Sequence, residues 1–102
     1  MPTAFQNRVY AALREIPRGR VTTYKRLAGR LGCRSCRAVG QALKRNPYAP
    51  VVPCHRVIAS DVTPGGFMGR RDGPALRRKL ALLASEGVRF RAGKLADPRR
   101  VV

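Results

Sequence analysis

The chain has 102 residues, and 22 Lys and Arg against 5 Asp and Glu give it a formal charge of +17, an excess that one small domain can carry only on its surface. Its 44% hydrophobic content is enough to fill a single core, which argues against wholesale disorder and for one domain over residues 1–102. No apolar run approaches the roughly 18–20 residues that cross a bilayer, and the start MPTAFQNRVY lacks the charged-then-apolar order of a secretory signal, so a soluble cytoplasmic protein with no membrane partner is expected.

Phe5, Val9, Ala12, Leu13 and Ile16 recur at the spacing of one amphipathic helix, which Pro17 and Gly19 end. A Thr of the Val21-Thr22-Thr23 run can cap a short helix from Tyr24 to about Leu31, with Leu27 and Leu31 inward and Gly32 as its stop. A third helix is predicted from about Ser35 to Arg45, apolar at Val39, Ala42 and Leu43, with Arg34, Arg37, Lys44 and Arg45 around it. Two short helices joined by a tight Gly-containing turn, the second one basic, read as a helix-turn-helix.

With +17 on about 11 kDa, nucleic acid is the leading partner; ribosome-like or membrane-surface association is the alternative that a basic amphipathic helix would favour. From Pro47 to Gly73 the Pro and Gly residues break regular structure, leaving a long loop around Val51-Val52 and Val57-Ile58. Ala75 to Ser85 resumes helical spacing through Leu76, Leu80 and Leu83, with Arg77, Arg78 and Lys79 expected outward. Val88 to Arg91 alternates like a short strand, and Gly93 turns the chain into a basic tail.

Three cysteines, at 33, 36 and 54, are an odd number, so at least one thiol is expected to be free. Cys54 stands beside His55, the only histidine, inside the Pro/Gly-rich loop. Adjacent side chains diverge, so a packed cysteine beside a surface histidine is the plain alternative to a nucleophile beside its base. A nucleophilic role needs a thiolate; a neighbouring imidazole and a positive field are expected to lower the thiol from its ordinary pKa of about 8.5. Glu86, approached by the apolar run Leu82-Leu83-Ala84, is the carboxylate best placed for partial burial beside His55, against the alternative of a solvated helix-end acid. Cys33 and Cys36 would need two more ligands to hold zinc, and only Cys54 and His55 remain, so no metal is expected. They are read as two reduced thiols, with a redox pair as the alternative.

Pro53-Cys54-His55-Arg56-Val57-Ile58, preceded by Arg37-Ala38-Val39-Gly40 and Asn46-Pro47, resembles the active-site signature of the O6-alkylguanine-DNA alkyltransferases, single-turnover DNA-repair proteins. The resemblance extends upstream through Ile16-Pro17, Gly19, Val21, Thr23-Tyr24 and Leu27-Ala28, and downstream through Leu82-Leu83 and Glu86-Gly87-Val88. It covers about residues 4–91, the family's C-terminal domain, and leaves 92–102 as the basic tail. It implies a mainly α fold with short β elements (α+β), winged helix-turn-helix-like, with an active-site loop.

The resemblance also implies roles. Cys54 would accept the alkyl group, His55 would act as its base through a bridging water, and Glu86 would orient His55. Arg37 would enter the duplex in place of a flipped nucleotide, Tyr24 would press on the target phosphate, and Asn46 would tie the recognition helix to the active-site loop. Arg34, Gly40 and Lys44 would complete the DNA-binding set, and Pro53, Val57, Phe67, Met68 and Gly69 the pocket for the base. No metal or organic cofactor is implied. The partner would be double-stranded DNA containing O6-alkylguanine, met through the minor groove with weak sequence preference, by a monomer in the cytoplasm associated with the nucleoid.

The sequence departs from the family pattern in three ways. The motifs begin almost at Met1, so the usual N-terminal domain is not expected; residues are added between Gly69 and the last helix; and Met68 stands where Ser is frequent. A single domain is typical of alkyltransferase-like proteins, which bind alkylated DNA and in which another residue replaces the cysteine. Cys54 is present here. A non-catalytic lesion sensor and a plain helix-turn-helix regulator are the alternative readings.

Overall fold

The computed structural model describes residues 2–49, 51–66 and 73–102. Helix α1 (Ala4–Arg14) starts at a reciprocal cap: the Thr3 hydroxyl accepts the Gln6 N–H at 3.1 Å, and the Gln6 side chain accepts the Thr3 N–H at 3.0 Å. The helix stops two residues short of the predicted Ile16, because Ile16 precedes Pro17 and that position disfavours the helical region. Val9, Leu13 and Ile16 are buried as the stripe requires. Tyr10, off the predicted stripe, is buried too, and its hydroxyl donates to the Ala42 carbonyl at 2.9 Å, joining α1 to the third helix.

Helix α2 (Tyr24–Arg30) is capped by the Thr23 hydroxyl, which accepts the Arg26 N–H at 3.1 Å. It ends at Gly32, whose φ of +65° is the left-handed turn that closes a helix. Ser35 then caps α3 (Cys36–Lys44), accepting the Ala38 N–H at 3.1 Å. The fold is α+β, with the α2–α3 pair as its helix-turn-helix and α1 packed against α3.

The long loop is ordered by two-residue strands. Strand β1 (Thr22–Thr23) pairs in parallel with β2 (Val57–Ile58), setting Thr22 opposite Val57 and Thr23 opposite Ile58. The 3-10 turn Cys54–Arg56, immediately before β2, is thereby held beside the start of α2. Helix α4 (Gly73–Ser85) follows, and here one expectation is overturned: Lys79 faces inward and is 0% exposed. It lies three residues after Leu76 and four before Leu83, so helical geometry puts it on their inward face, whereas its neighbours Arg77 and Arg78 are exposed.

Beyond Gly87, strands β3 (Phe90–Arg91) and β4 (Lys94–Leu95) form an antiparallel hairpin. Ala92 and Gly93 both have positive φ, 51° and 79°, as a two-residue hairpin turn demands. The Leu95 N–H donates to the Val62 carbonyl at 2.9 Å, docking the hairpin on the loop after β2. Residues 92–102 are therefore an organised part of the fold. Val101 bridges to Val21, and the Val102 N–H donates to the Val21 carbonyl at 2.8 Å. One core cluster joins α1, α2 and α3 to Val52, Cys54 and Val57; a second joins Val21, Ile58, Leu83, Val88 and Leu95. Among the described residues no helix is long and apolar enough to cross a membrane.

Gly19 sits in the turn between α1 and β1 with φ +85°, and a Cβ there would lie 3.2 Å from the Glu86 carbonyl oxygen. Gly19→Ala is expected to destabilise the protein by about 1 kcal/mol or more in urea denaturation. Gly29→Ala, inside α2 with no atom near its added methyl, is expected to stabilise it by roughly 0.5–1 kcal/mol.

Candidate active site

Glu86 follows the last turn of α4 and is gripped on both oxygens by Arg56. Arg56 Nε donates to Oε1 and Nη2 to Oε2, each at 2.9 Å, while Nη1 reaches the Ile16 carbonyl at 2.8 Å. His55 Nε2 lies 3.0 Å from Oε2 of the same carboxylate. Burial alone would raise the Glu86 carboxyl, but the hydrogen bonds from Arg56 and His55 outweigh it and hold the group at about 2.

A carboxylate only accepts, so Nε2 must carry the imidazole proton, and Nδ1 is left with its lone pair. His55 is 2% exposed, and burial lowers its pKa although Glu86 pulls the other way, so the ring is neutral at pH 7. Nδ1 is buried with no hydrogen-bond partner among the described residues. The assembly presents a neutral imidazole whose unused nitrogen is a proton acceptor.

Cys54 is 5% exposed. Burial raises its thiol pKa, outweighing a hydrogen bond from Asn46 and the charge of Lys79, which both lower it. The expectation of a depressed thiol is not met: it counted on the imidazole and the positive field, and burial of Cys54 in the core outweighs the groups that favour the thiolate. Asn46, just after α3, is buried; its Nδ2 donates to the Val52 carbonyl and its Oδ1 accepts the Tyr48 N–H, each at 2.9 Å. The end of α3 is thus fastened to the segment that delivers Cys54.

The sequence reading missed Lys79. Its Nζ donates to the Val57 carbonyl at 2.7 Å and the Gly66 carbonyl at 2.9 Å, clamping β2 to the loop that follows it. Burial lowers its pKa to about 7, while the neighbouring Cys54 acts to raise it. A cation there stabilises a thiolate at Cys54, and a thiolate stabilises the cation. The available signal was its place between Leu76 and Leu83 on one helical face.

A cleft of about 800 Å³ opens on this centre and is lined by Tyr24, Arg37, Gly40, Lys44 and Cys54 from the predicted site, together with Cys36. Its other wall is the loop from Ala59 to Gly66. Asn46, His55 and Glu86 do not line the cleft, and Arg34 is exposed outside it. Pro53 and Val57 are buried and do not line it either. Phe67, Met68 and Gly69 lie outside the described residues. Cys33 and Cys36 are free thiols, and among the described residues no three His, Cys, Asp or Glu form a group that could hold a metal ion.

The family model for the DNA-binding domain of 6-O-methylguanine DNA methyltransferase matches residues 4–88. The chain belongs to this family. The methylated-DNA–protein-cysteine methyltransferase of Methanothermobacter thermautotrophicus is 44% identical over 86 residues, 84% of this chain and 46% of that protein. A Methanosarcina barkeri protein of the same name is 44% identical over 88 residues. The chain spans about half the length of the curated relatives it matches.

Among solved structures, Mycobacterium tuberculosis OGT in complex with DNA superposes with a TM-score of 0.76 at 41% identity, over 85% of this chain and 51% of that one. S. pombe Atl1, in complex with damaged DNA containing O6-carboxymethylguanine, superposes with a TM-score of 0.81 at 35% identity, over 100% of this chain and 98% of that one.

The buried lysine makes a testable pH signature. Between pH 7 and its ordinary value of 10.5, Lys79 is protonated in the unfolded chain and increasingly neutral in the folded one, so its contribution to stability rises with pH across that window. Compared with Lys79→Met by urea denaturation at pH 7, 8 and 9, the parent is expected to gain up to about 1.4 kcal/mol per pH unit. Parallel profiles for the two proteins would mean that Lys79 keeps an ordinary pKa.

Proposed function

We propose that this chain repairs DNA by transferring an alkyl group irreversibly from O6-alkylguanine to Cys54, after the damaged nucleotide has been turned out of the duplex into the cleft. The observation that carries this reading is the Glu86–His55 pair. It leaves a neutral imidazole with a free acceptor nitrogen, and the residue immediately before that histidine in the chain is a free thiol, Cys54.

In the proposed reaction the Cys54 proton passes to His55 Nδ1, through a bridging water where the two do not meet. The sulfur attacks the sp3 carbon, the S–C bond forms and the C–O6 bond breaks. The electron pair returns to the guanine, which leaves neutral once it gains a proton. The thioether has no leaving path, so each molecule acts once. A base edge cannot be reached inside the stack, which is why extrusion is required. Arg37, on the cleft wall, would fill the vacated space; Tyr24 would press on the target phosphate, with Arg34, Gly40 and Lys44 along the minor groove. The +17 charge fits binding that is driven by phosphates and tolerant of sequence.

One observation favours a second reading, a protein that binds the lesion without transferring it. The fold superposes on S. pombe Atl1, solved in complex with damaged DNA, with a TM-score of 0.81 at 35% identity. Cys54 decides between them. On incubation with a duplex containing O6-methylguanine, peptide mass spectrometry is expected to show the mass of one added methylene on the Cys54 peptide, at a stoichiometry approaching one. Cys54→Ala is expected to bind the same duplex with no mass change. An unmodified parent, or alkylation of Cys33 or Cys36 instead, would remove the transfer reading.

The relay has its own test. His55→Ala is expected to slow alkylation by a factor on the order of 10²–10⁴ across the pH–rate profile, with DNA affinity little changed. A variant reacting at the parent's rate would leave Cys54 activated by the surrounding positive charge alone.

A further inference from the structure

The β3–β4 hairpin lies beyond the matched residues 4–88 and carries an arrangement that costs stability in isolation. Arg91 and Lys94 are direct cross-strand partners, and both are exposed. Like charges set opposite each other in an antiparallel pair repel. Arg89, also exposed, is two residues before Arg91, so it shares the same face. The opposite face carries Phe90 and Leu95, which pack into the second core cluster. The hairpin thus turns three cations outward from a rigid two-residue turn.

Its position adds the second half of the argument. Through the bond from Leu95 to the Val62 carbonyl, it is mounted on the loop whose residues Ala59, Ser60, Asp61 and Thr63 line the cleft. The other wall of that cleft is α3, with Arg37 and Lys44. Asp61 is the one acid on the loop, and it is engaged locally by Thr63, whose hydroxyl donates to it at 2.6 Å. Thr63 is the main reason its carboxyl stays below the ordinary range, and Lys94 adds a smaller pull, which puts the hairpin's charge within reach of the cleft rim. The molecule measures 36 × 26 × 21 Å, its longest dimension about one turn of B-DNA. Basic elements on the two sides of the cleft can therefore meet one duplex within about a turn.

We propose that the β3–β4 hairpin is a second DNA-backbone clamp, in which Arg89, Arg91 and Lys94 bind phosphates of the same duplex on the side of the cleft away from α3. It rests on the reading that the cleft receives a nucleotide from duplex DNA. Phosphates would relieve the Arg91–Lys94 repulsion, so the feature that is unfavourable in the free protein becomes favourable in the complex.

The experiment is fluorescence anisotropy of the full chain on an undamaged duplex across a salt series. It needs no alkyl transfer. The Arg89→Gln/Arg91→Gln/Lys94→Gln variant is expected to lower the slope of log affinity against log salt by about 3, one unit per lost phosphate contact. Arg14→Gln, at the exposed end of α1, serves as the control for net charge and is expected to change the slope by much less than one unit. Arg91→Glu separates binding from structure: placed opposite Lys94 it is expected to keep or raise the melting temperature while weakening DNA binding.

A triple variant with the parent's slope, or one whose loss per charge equals that of Arg14→Gln, would overturn the clamp. A parent protein that shows the hairpin-dependent slope but never becomes alkylated at Cys54 would overturn the transfer reading and leave the clamp standing.

Discussion

The Arg56–Glu86 ion pair is the contact on which the rest of the site depends. Its two hydrogen bonds of 2.9 Å join the residue after α4 to the turn that carries Cys54, and the third guanidinium contact, to the Ile16 carbonyl, brings in the end of α1. Three segments distant in sequence converge on one guanidinium. Because Arg56 holds Glu86 ionised, the imidazole has a fixed tautomer, and the nitrogen facing away from Glu86 is the basic one. A weaker carboxylate grip would leave ring orientation and tautomer undetermined.

Cys54 and Lys79 form a second layer of the same logic. Burial drives each toward its neutral form, the thiol pKa upward and the ammonium pKa downward, and each opposes that effect in the other. At pH 7 the thiol therefore rests neutral while Lys79 is divided between its charged and neutral forms, and loss of the sulfur proton draws the lysine toward the charged one. The backbone clamp made by Lys79 on Val57 and Gly66 does not require the thiolate, so the lysine serves the loop in the resting state and the sulfur during reaction.

The helices were legible because their stripes are long enough to show a period, and because Pro17, Gly32 and Gly87 punctuate them. Of the strands only β3 was legible, inside the alternating run Val88 to Arg91 before the Gly93 turn; β1 and β2 are too short to show an alternation, and the pairing of Thr22 with Val57 is a tertiary fact. Glu86 was readable as a partner for His55 from its apolar approach, but Arg56 was not, since nothing local says which arginine among 18 will reach it. Lys79 was misplaced by reading three consecutive cations as one exposed run instead of projecting each onto the helix. The raised thiol pKa needed knowledge of burial, which the loop composition around Cys54 concealed.

The backbone of Val21 is paired at both its groups by the final turn: its N–H donates to the Arg100 carbonyl at 2.9 Å, and its carbonyl accepts the Val102 N–H. These bonds close a loop of about 80 residues, and loop-closure entropy makes such contacts among the late ones to form during folding. Until they close, the side of the strand opposite β2 is an open edge with unpaired backbone groups, the kind of template to which another chain can add. The segment first read as a basic tail is, in assembly terms, the cover over that edge.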